Sequence, residues 1–81
     1  MNLELLKEER IKKGFSQSHM AKALGFKSRS SYFFIETGVT SVTVDLAKKI
    51  SVVLGLSKEK FLEIFYEEIV QESSTDVSKI S

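Results

Sequence analysis

Four glycines, at positions 14, 25, 38 and 55, divide the chain into short segments, and each closes a run in which apolar residues recur at helical spacing. Soon after each glycine comes a residue suited to start the next helix: Ser16, Ser28, Thr43 and Ser57. Glycine just past one helix and a hydroxyl residue just before the next is the usual punctuation of a helical chain. There is no proline, and strand-like alternation is nowhere sustained. The first helix begins around Leu3 and Leu6, runs through Arg10 and Ile11, and stops at Gly14 after Lys12 and Lys13. The second is QSHMAKAL, closed by Gly25, and the third RSSYFFIET, closed by Gly38. The fourth is VDLAKKISVVL, closed by Gly55, and the fifth runs from Lys58 to about Val70. The pattern predicts an all-α bundle of five helices in one domain over residues 1–70, followed by a polar, Ser-rich tail at 71–81 expected to be disordered.

The same spacing selects a core. Met20 and Leu24, with Ala21 beside them, should face inward from the second helix, and Tyr32 and Ile35 from the third. Val44, Ala47, Ile50 and Leu54 form the inner stripe of the fourth, while Phe61, Ile64 and Phe65 fit the core from the fifth. A chain of 81 residues buries only about 60% of its unfolded surface, so the core is thin and any interface between copies matters.

Charge is distributed unevenly. Residues 1–60 hold eleven Lys or Arg against six acids, whereas residues 61–81 hold Lys79 against Glu63, Glu67, Glu68, Glu72 and Asp76. A basic front suits a polyanion, and an acidic back would avoid one. Ordinary solvation accounts for the charges equally well. Other classes fare worse. No cysteine is present, which removes disulfides and thiolate metal sites, and the one histidine, His19, has no partner at ligand spacing. No Gly-rich phosphate loop exists, and EEIVQE is read as a solvated helix face. We therefore expect no enzyme, no cofactor and no metal. No apolar run reaches the ~20 residues of a membrane span, and MNLELLKEER lacks the apolar stretch of a signal peptide, so the expected compartment is the cytoplasm.

The second and third helices, joined by a turn bearing Gly25, form a helix-turn-helix pattern. Ala21 permits close approach of the two helices, and Gly25 supplies a backbone conformation that other residues resist. The longer string LKEERIKKGFSQSHMAKALGFKSRSSYFFIETG, followed by VTVDLAKKISVVLGLSKEKF, resembles the Cro/Xre phage-repressor family of helix-turn-helix domains. The resemblance spans roughly residues 3–65, with landmarks at Arg10, at KKGFSQ (12–17), at Ala21, at IETG (35–38) and at LGLS (54–57). It implies a lambda-repressor-like bundle and a transcriptional regulator, a phage-type or bacterial repressor, that binds double-stranded DNA.

The resemblance also implies roles. Arg10 and Glu36 correspond to the family's Arg–Glu pair, a bridge from the first helix to the third. Gln17, opening the second helix, would grip a phosphate. The third helix would enter the major groove, with Arg29, Ser30 and Phe34 at base edges and Lys27 and Ser31 nearer the backbone. The stretch between Gly25 and Gly38 is one residue longer than the family's usual pattern, so the register of these contacts can slip by one. The loop Val39–Val42 lacks the basic residue often found there. Backbone N–H groups and the hydroxyls of Thr40, Ser41 or Thr43 would have to reach phosphate instead.

Phe33 and Phe34 leave three readings open. One of them packs on thymine methyls, or folds back onto the second helix or the loop, or both join a protein interface. Two-fold sites are usual for helix-turn-helix repressors, so a homodimer is expected. Leu62, Tyr66, Ile69 and Val70 form a stripe beside the core face of the fifth helix and are the expected interface, joined by Val52 and Val53. Glu63, Glu67 and Glu68 would form its wet rim. The competing reading keeps the same fold as a protein-binding module, for an antirepressor or antitoxin-like partner.

Overall fold

A computed structural model of the chain describes residues 1–80, with side chains for residues 1–71. Among them are five helices and no strand: α1 (Leu3–Lys12), α2 (Gln17–Ala23), α3 (Arg29–Glu36), α4 (Val44–Leu54) and α5 (Lys58–Ile80). The tail expected at 71–81 lies, but for Gln71, outside the residues described with their side chains.

The helix starts follow from local hydrogen bonding. Each unpaired amide of a first turn needs an acceptor, and a short polar side chain just before the helix supplies one. Asn2 Oδ1 accepts from the Leu5 N–H at 3.1 Å, Ser16 Oγ from His19 at 3.0 Å, Thr43 Oγ1 from Leu46 at 3.2 Å and Ser57 Oγ from Lys60 at 3.1 Å. Ser28 departs from this pattern. It occupies the cap position of α3 but makes no side-chain cap bond: the Ser31 N–H donates to the Ser28 carbonyl at 3.3 Å, and the Ser28 hydroxyl lies 3.0 Å from that of Ser30.

Every helix gives to one core. Leu6 comes from α1, Met20 and Ala21 from α2, Tyr32 and Ile35 from α3, Ala47, Ile50 and Leu54 from α4, and Ile64 and Phe65 from α5. Val42 seals it from the loop before α4. Burying each of the larger side chains stabilises the fold by about 1.5–3 kcal/mol. Leu24, Val44 and Phe61 are only half-buried, while Ile11 is 57% exposed and takes no part. α2 packs chiefly on α3, and α4 on α5. Helix α5 loses regular geometry at Phe65 (φ −108°, ψ 23°), the residue whose ring is wholly buried beside that of Phe61. The carbonyl of Ile64, just before this kink, accepts the backbone N–H of Asn2 at 2.8 Å.

Gly38 closes α3 at φ +82°, and a Cβ there would meet Leu3 Cδ1 at 2.9 Å. The contact is with the tip of a flexible side chain, so the backbone is the larger obstacle. A left-handed conformation costs an L-residue about 1–2 kcal/mol. Gly38→Ala should therefore lower stability by about that amount in chemical denaturation. An unchanged midpoint would show that the turn relaxes freely.

Candidate nucleic-acid interface

The polar centre of the molecule joins α1 to the end of α3. Arg10 Nε donates to Glu36 Oε2 at 2.8 Å and Arg10 NH2 to Glu36 Oε1 at 2.8 Å, a two-pronged contact matched to guanidinium geometry. A third donor, NH1, reaches the Phe15 carbonyl at 2.7 Å, which also ties down the turn into α2. Both side chains are buried, Glu36 to 3% exposure. Burial alone would favour the neutral carboxyl, but the Arg10 hydrogen bonds and charge overcome it and hold Glu36 below the usual carboxylate range. The same pairing pushes Arg10 up. The Tyr32 phenol, buried next to Glu36, is pushed up by its burial and by the neighbouring carboxylate.

From this centre a chain of contacts runs to the surface. Gln17 Nε2 donates to Glu36 Oε1 at 3.5 Å, and Gln17 Oε1 accepts from Arg29 NH1 at 2.8 Å. The Arg29 guanidinium in turn lies 6.0 Å from the centre of the Phe33 ring. The first residues of α2 and α3 are thus directly bonded, although twelve positions separate them in the sequence. Nothing local in the sequence marks that bond.

Around Arg29 the first turn of α3 presents Ser30 to solvent, with Ser31 half-buried and Lys27 exposed in the preceding turn. Phe33 and Phe34 are 40% and 43% exposed, and their rings meet edge to face at 5.9 Å between centroids. Neither lies in the core. Tyr32 and Ile35, on the opposite face, are buried.

In the loop between α3 and α4, two of the backbone N–H groups expected to reach phosphate are already engaged. Val39 and Thr40 both donate their N–H to the Phe34 carbonyl, at 2.9 and 3.0 Å, to end the helix. Thr43 Oγ1 is engaged as the α4 cap. Thr40 and Ser41 are exposed, but they line a hollow that also contains Glu68, and no contact joins them to Arg29 among the described residues. The structure therefore gathers Arg29, Ser30 and the two phenylalanines on the exposed face of α3, with Gln17 against Arg29, and leaves the loop hydroxyls apart. His19 is exposed and stacks on Phe15 at 4.2 Å. No group of His, Cys, Asp and Glu able to hold a metal ion occurs among the described residues, and none of their helices is long and apolar enough to cross a membrane.

Residues 6–61 match the family described as helix-turn-helix. The chain is also 37% identical over 68 residues to the uncharacterized HTH-type transcriptional regulator YqaF of Bacillus subtilis (strain 168), a similarity that covers 84% of this chain and 83% of that protein. No solved structure matches it significantly.

Removing one member of a buried ion pair strands the other, at a cost of about 3–5 kcal/mol. Glu36→Gln should lower the melting temperature accordingly. The sign of the pH effect follows from the lowered Glu36 value. Its stabilisation is complete above the ordinary carboxylate range and is lost as pH falls through the depressed folded value. The variant should lack that part of the acid transition. A melt unchanged from wild type at neutral pH would show that the bridge contributes nothing.

Proposed function

The chain belongs to the helix-turn-helix family, of Cro/C1 type, and on that premise we propose that it is a DNA-binding transcription regulator, a phage-type or bacterial repressor acting in the cytoplasm at a two-fold operator. The observation that carries the reading is the Gln17–Arg29 hydrogen bond, which holds a basic side chain at the exposed start of α3 against α2, with Gln17 Nε2 3.5 Å from Glu36 Oε1. A helix laid in the major groove reads bases with its first residues. Arg29 takes a guanine edge, Ser30 bonds a neighbouring base, and Phe34 packs on a thymine methyl, with Phe33 beneath the guanidinium. Gln17 retains a second amide N–H for phosphate, and Lys27 and Ser31 flank it. Along the loop the Thr40, Ser41 and Thr43 hydroxyls serve as phosphate donors, since the Val39 and Thr40 amides are spent on the Phe34 carbonyl.

A two-fold operator requires two copies of α3. The dimer surface is assigned to α5, where Leu62, Tyr66 and Val70 are 43%, 56% and 41% exposed; Ile69 is half-buried against the core and stands at the edge of the stripe. Half-exposed aromatics at Phe33 and Phe34 are the one observation that favours the second reading, a protein-binding module for an antirepressor or antitoxin-like partner.

Binding to duplexes selected from a random pool tests both. Wild type should show a steep fall of log affinity with log salt, as counterions return to the phosphates. Arg29→Ala should lose about 1–3 kcal/mol and relax one base position. Gln17→Ala should weaken all duplexes and also erode that position, because Arg29 loses its support. A flat salt dependence would favour the protein-binding module. Arg29→Ala behaving as wild type at every base would displace α3 from the groove.

A further inference from the structure

The most exposed large apolar side chain of the described residues is Val52, at 80%, on the outer face of α4. It forms the ridge between two open grooves. On one side a groove of about 510 Å³ is floored by Leu24, Val52 and Val53 and edged by Lys48 and Lys49. On the other, Leu56 and Phe61 continue the apolar floor, edged by Lys48 and Lys58. No carboxylate lines either groove, and none of these three lysines forms an ion pair among the described residues. Asp45 stands one turn before Lys48 on α4, and Glu59 beside Lys58 on α5, both outside the grooves. The first groove lies at the end of α2 remote from Gln17, and the second between α4 and the start of α5. Val52 sits nine residues along α4 from Thr43, about 13 Å at 1.5 Å per residue. Both placements keep the surface clear of the face presented by Arg29.

An apolar floor with a basic edge calls for an apolar stripe with an acidic edge, and this chain carries one. Leu62, Tyr66 and Val70 project from α5 with Glu63 and Glu67 alongside, all five exposed. Glu63 has only a 3.9 Å contact with Lys60, and Glu67 a 3.5 Å contact with the Met1 amino group. Both carboxylates are themselves well solvated, at 56% and 86% exposure, and pairs made by such groups are worth little. Within one copy the stripe follows directly after Lys58 and Phe61 on the same helix, so it cannot fold back into the groove that those residues line.

We infer that the α2–α4 surface of one copy receives the α5 stripe of a second copy, the two exchanging places about a two-fold axis. This rests on the two-copy reading above and gives it a specific geometry. The patch is basic at its α4 end and acidic at its α5 end, so a two-fold rotation sets Lys48, Lys49 and Lys58 against Glu63 and Glu67 of the other copy twice over. Such an arrangement is self-complementary, as a closed dimer interface must be. Tyr66 supplies the aromatic anchor at its centre, and Val52 is covered. Pairing α5 with α5 alone would leave both the Val52 ridge and the lysines without partners.

Charge reversal in sedimentation experiments on the full chain tests the geometry. Lys48→Glu with Lys49→Glu in one variant, and Glu63→Lys with Glu67→Lys in another, alter only exposed side chains, so each should keep the wild-type helical content by circular dichroism, while its melting temperature loses only the part that dimerisation supplies. Each alone should be monomeric at tens of micromolar, where wild type is dimeric. Mixed in equal amounts they should recover the dimer, because each reversed end then meets its complement. If the lysine variant stays dimeric while Tyr66→Glu becomes monomeric, the inference is overturned and the two-copy reading survives with α5 packed on α5. If both charge variants are monomeric but their mixture does not associate, the proposed pairing is overturned. A wild type that is itself monomeric at that concentration overturns the inference together with the two-copy reading.

Discussion

The paired hydrogen bonds between Arg10 and Glu36 join helices that otherwise meet mainly through apolar contact. Taking two charges from water costs several kcal/mol per ion, and the pair repays this only because its donors and acceptors are well matched. Two of the guanidinium's nitrogens serve the carboxylate and a third serves the Phe15 carbonyl. The carboxylate serves Gln17 in addition. An apolar pair of the same volume would fill the space, but it would give Gln17 no acceptor. The amide of Gln17 would then keep only its 2.8 Å bond to Arg29. The bridge therefore matters for direction at the surface as much as for stability inside.

Helix α3 shows why that support is needed. Eight residues are too few for a helix to persist alone in water, and its first turn lacks the side-chain cap that α1, α2, α4 and α5 possess. Its order comes from one face, where Tyr32, Ile35 and Glu36 are buried. The other face, with Arg29, Ser30, Phe33 and Phe34, is carried by that packing and adds little to it. The surface residues are consequently open to change without loss of the fold, provided Tyr32, Ile35 and Glu36 stay.

What was legible in the sequence was what local chemistry determines. The glycines at 14, 25, 38 and 55 do end or follow helices, and Ser16, Thr43 and Ser57 do cap them, because each signal acts within four residues. Periodicity located Met20, Tyr32, Ile35, Ala47, Ile50 and Leu54 inside. Four features escaped. Ser28 looks like the other caps, but the amide it would cap bonds to its backbone carbonyl and its hydroxyl lies against that of Ser30. The Phe34 carbonyl takes two loop amides, a detail of three-dimensional turn geometry that composition does not carry. The Gln17–Arg29 bond depends on how α2 and α3 are placed against each other. Ile69 sits on the apolar stripe by strict 3.6-residue counting, yet it is half-buried against the core, beyond the kink at Phe65 that interrupts that counting.

The hydrogen bond from Asn2 to the Ile64 carbonyl closes the chain into a ring. Most of what lies inside that ring is built from neighbours in sequence: α2 on α3, α4 on α5. Such local pairs form at small entropic cost, whereas closing a longer loop costs about 0.6 kcal/mol more for each doubling of its length. Joining residue 2 to residue 64 is thus among the longest closures of the fold, and it is made where α5 bends. The molecule is therefore two helical hairpins, each local in sequence, held together by one long-range clasp, with the first residues of α1 as its latch.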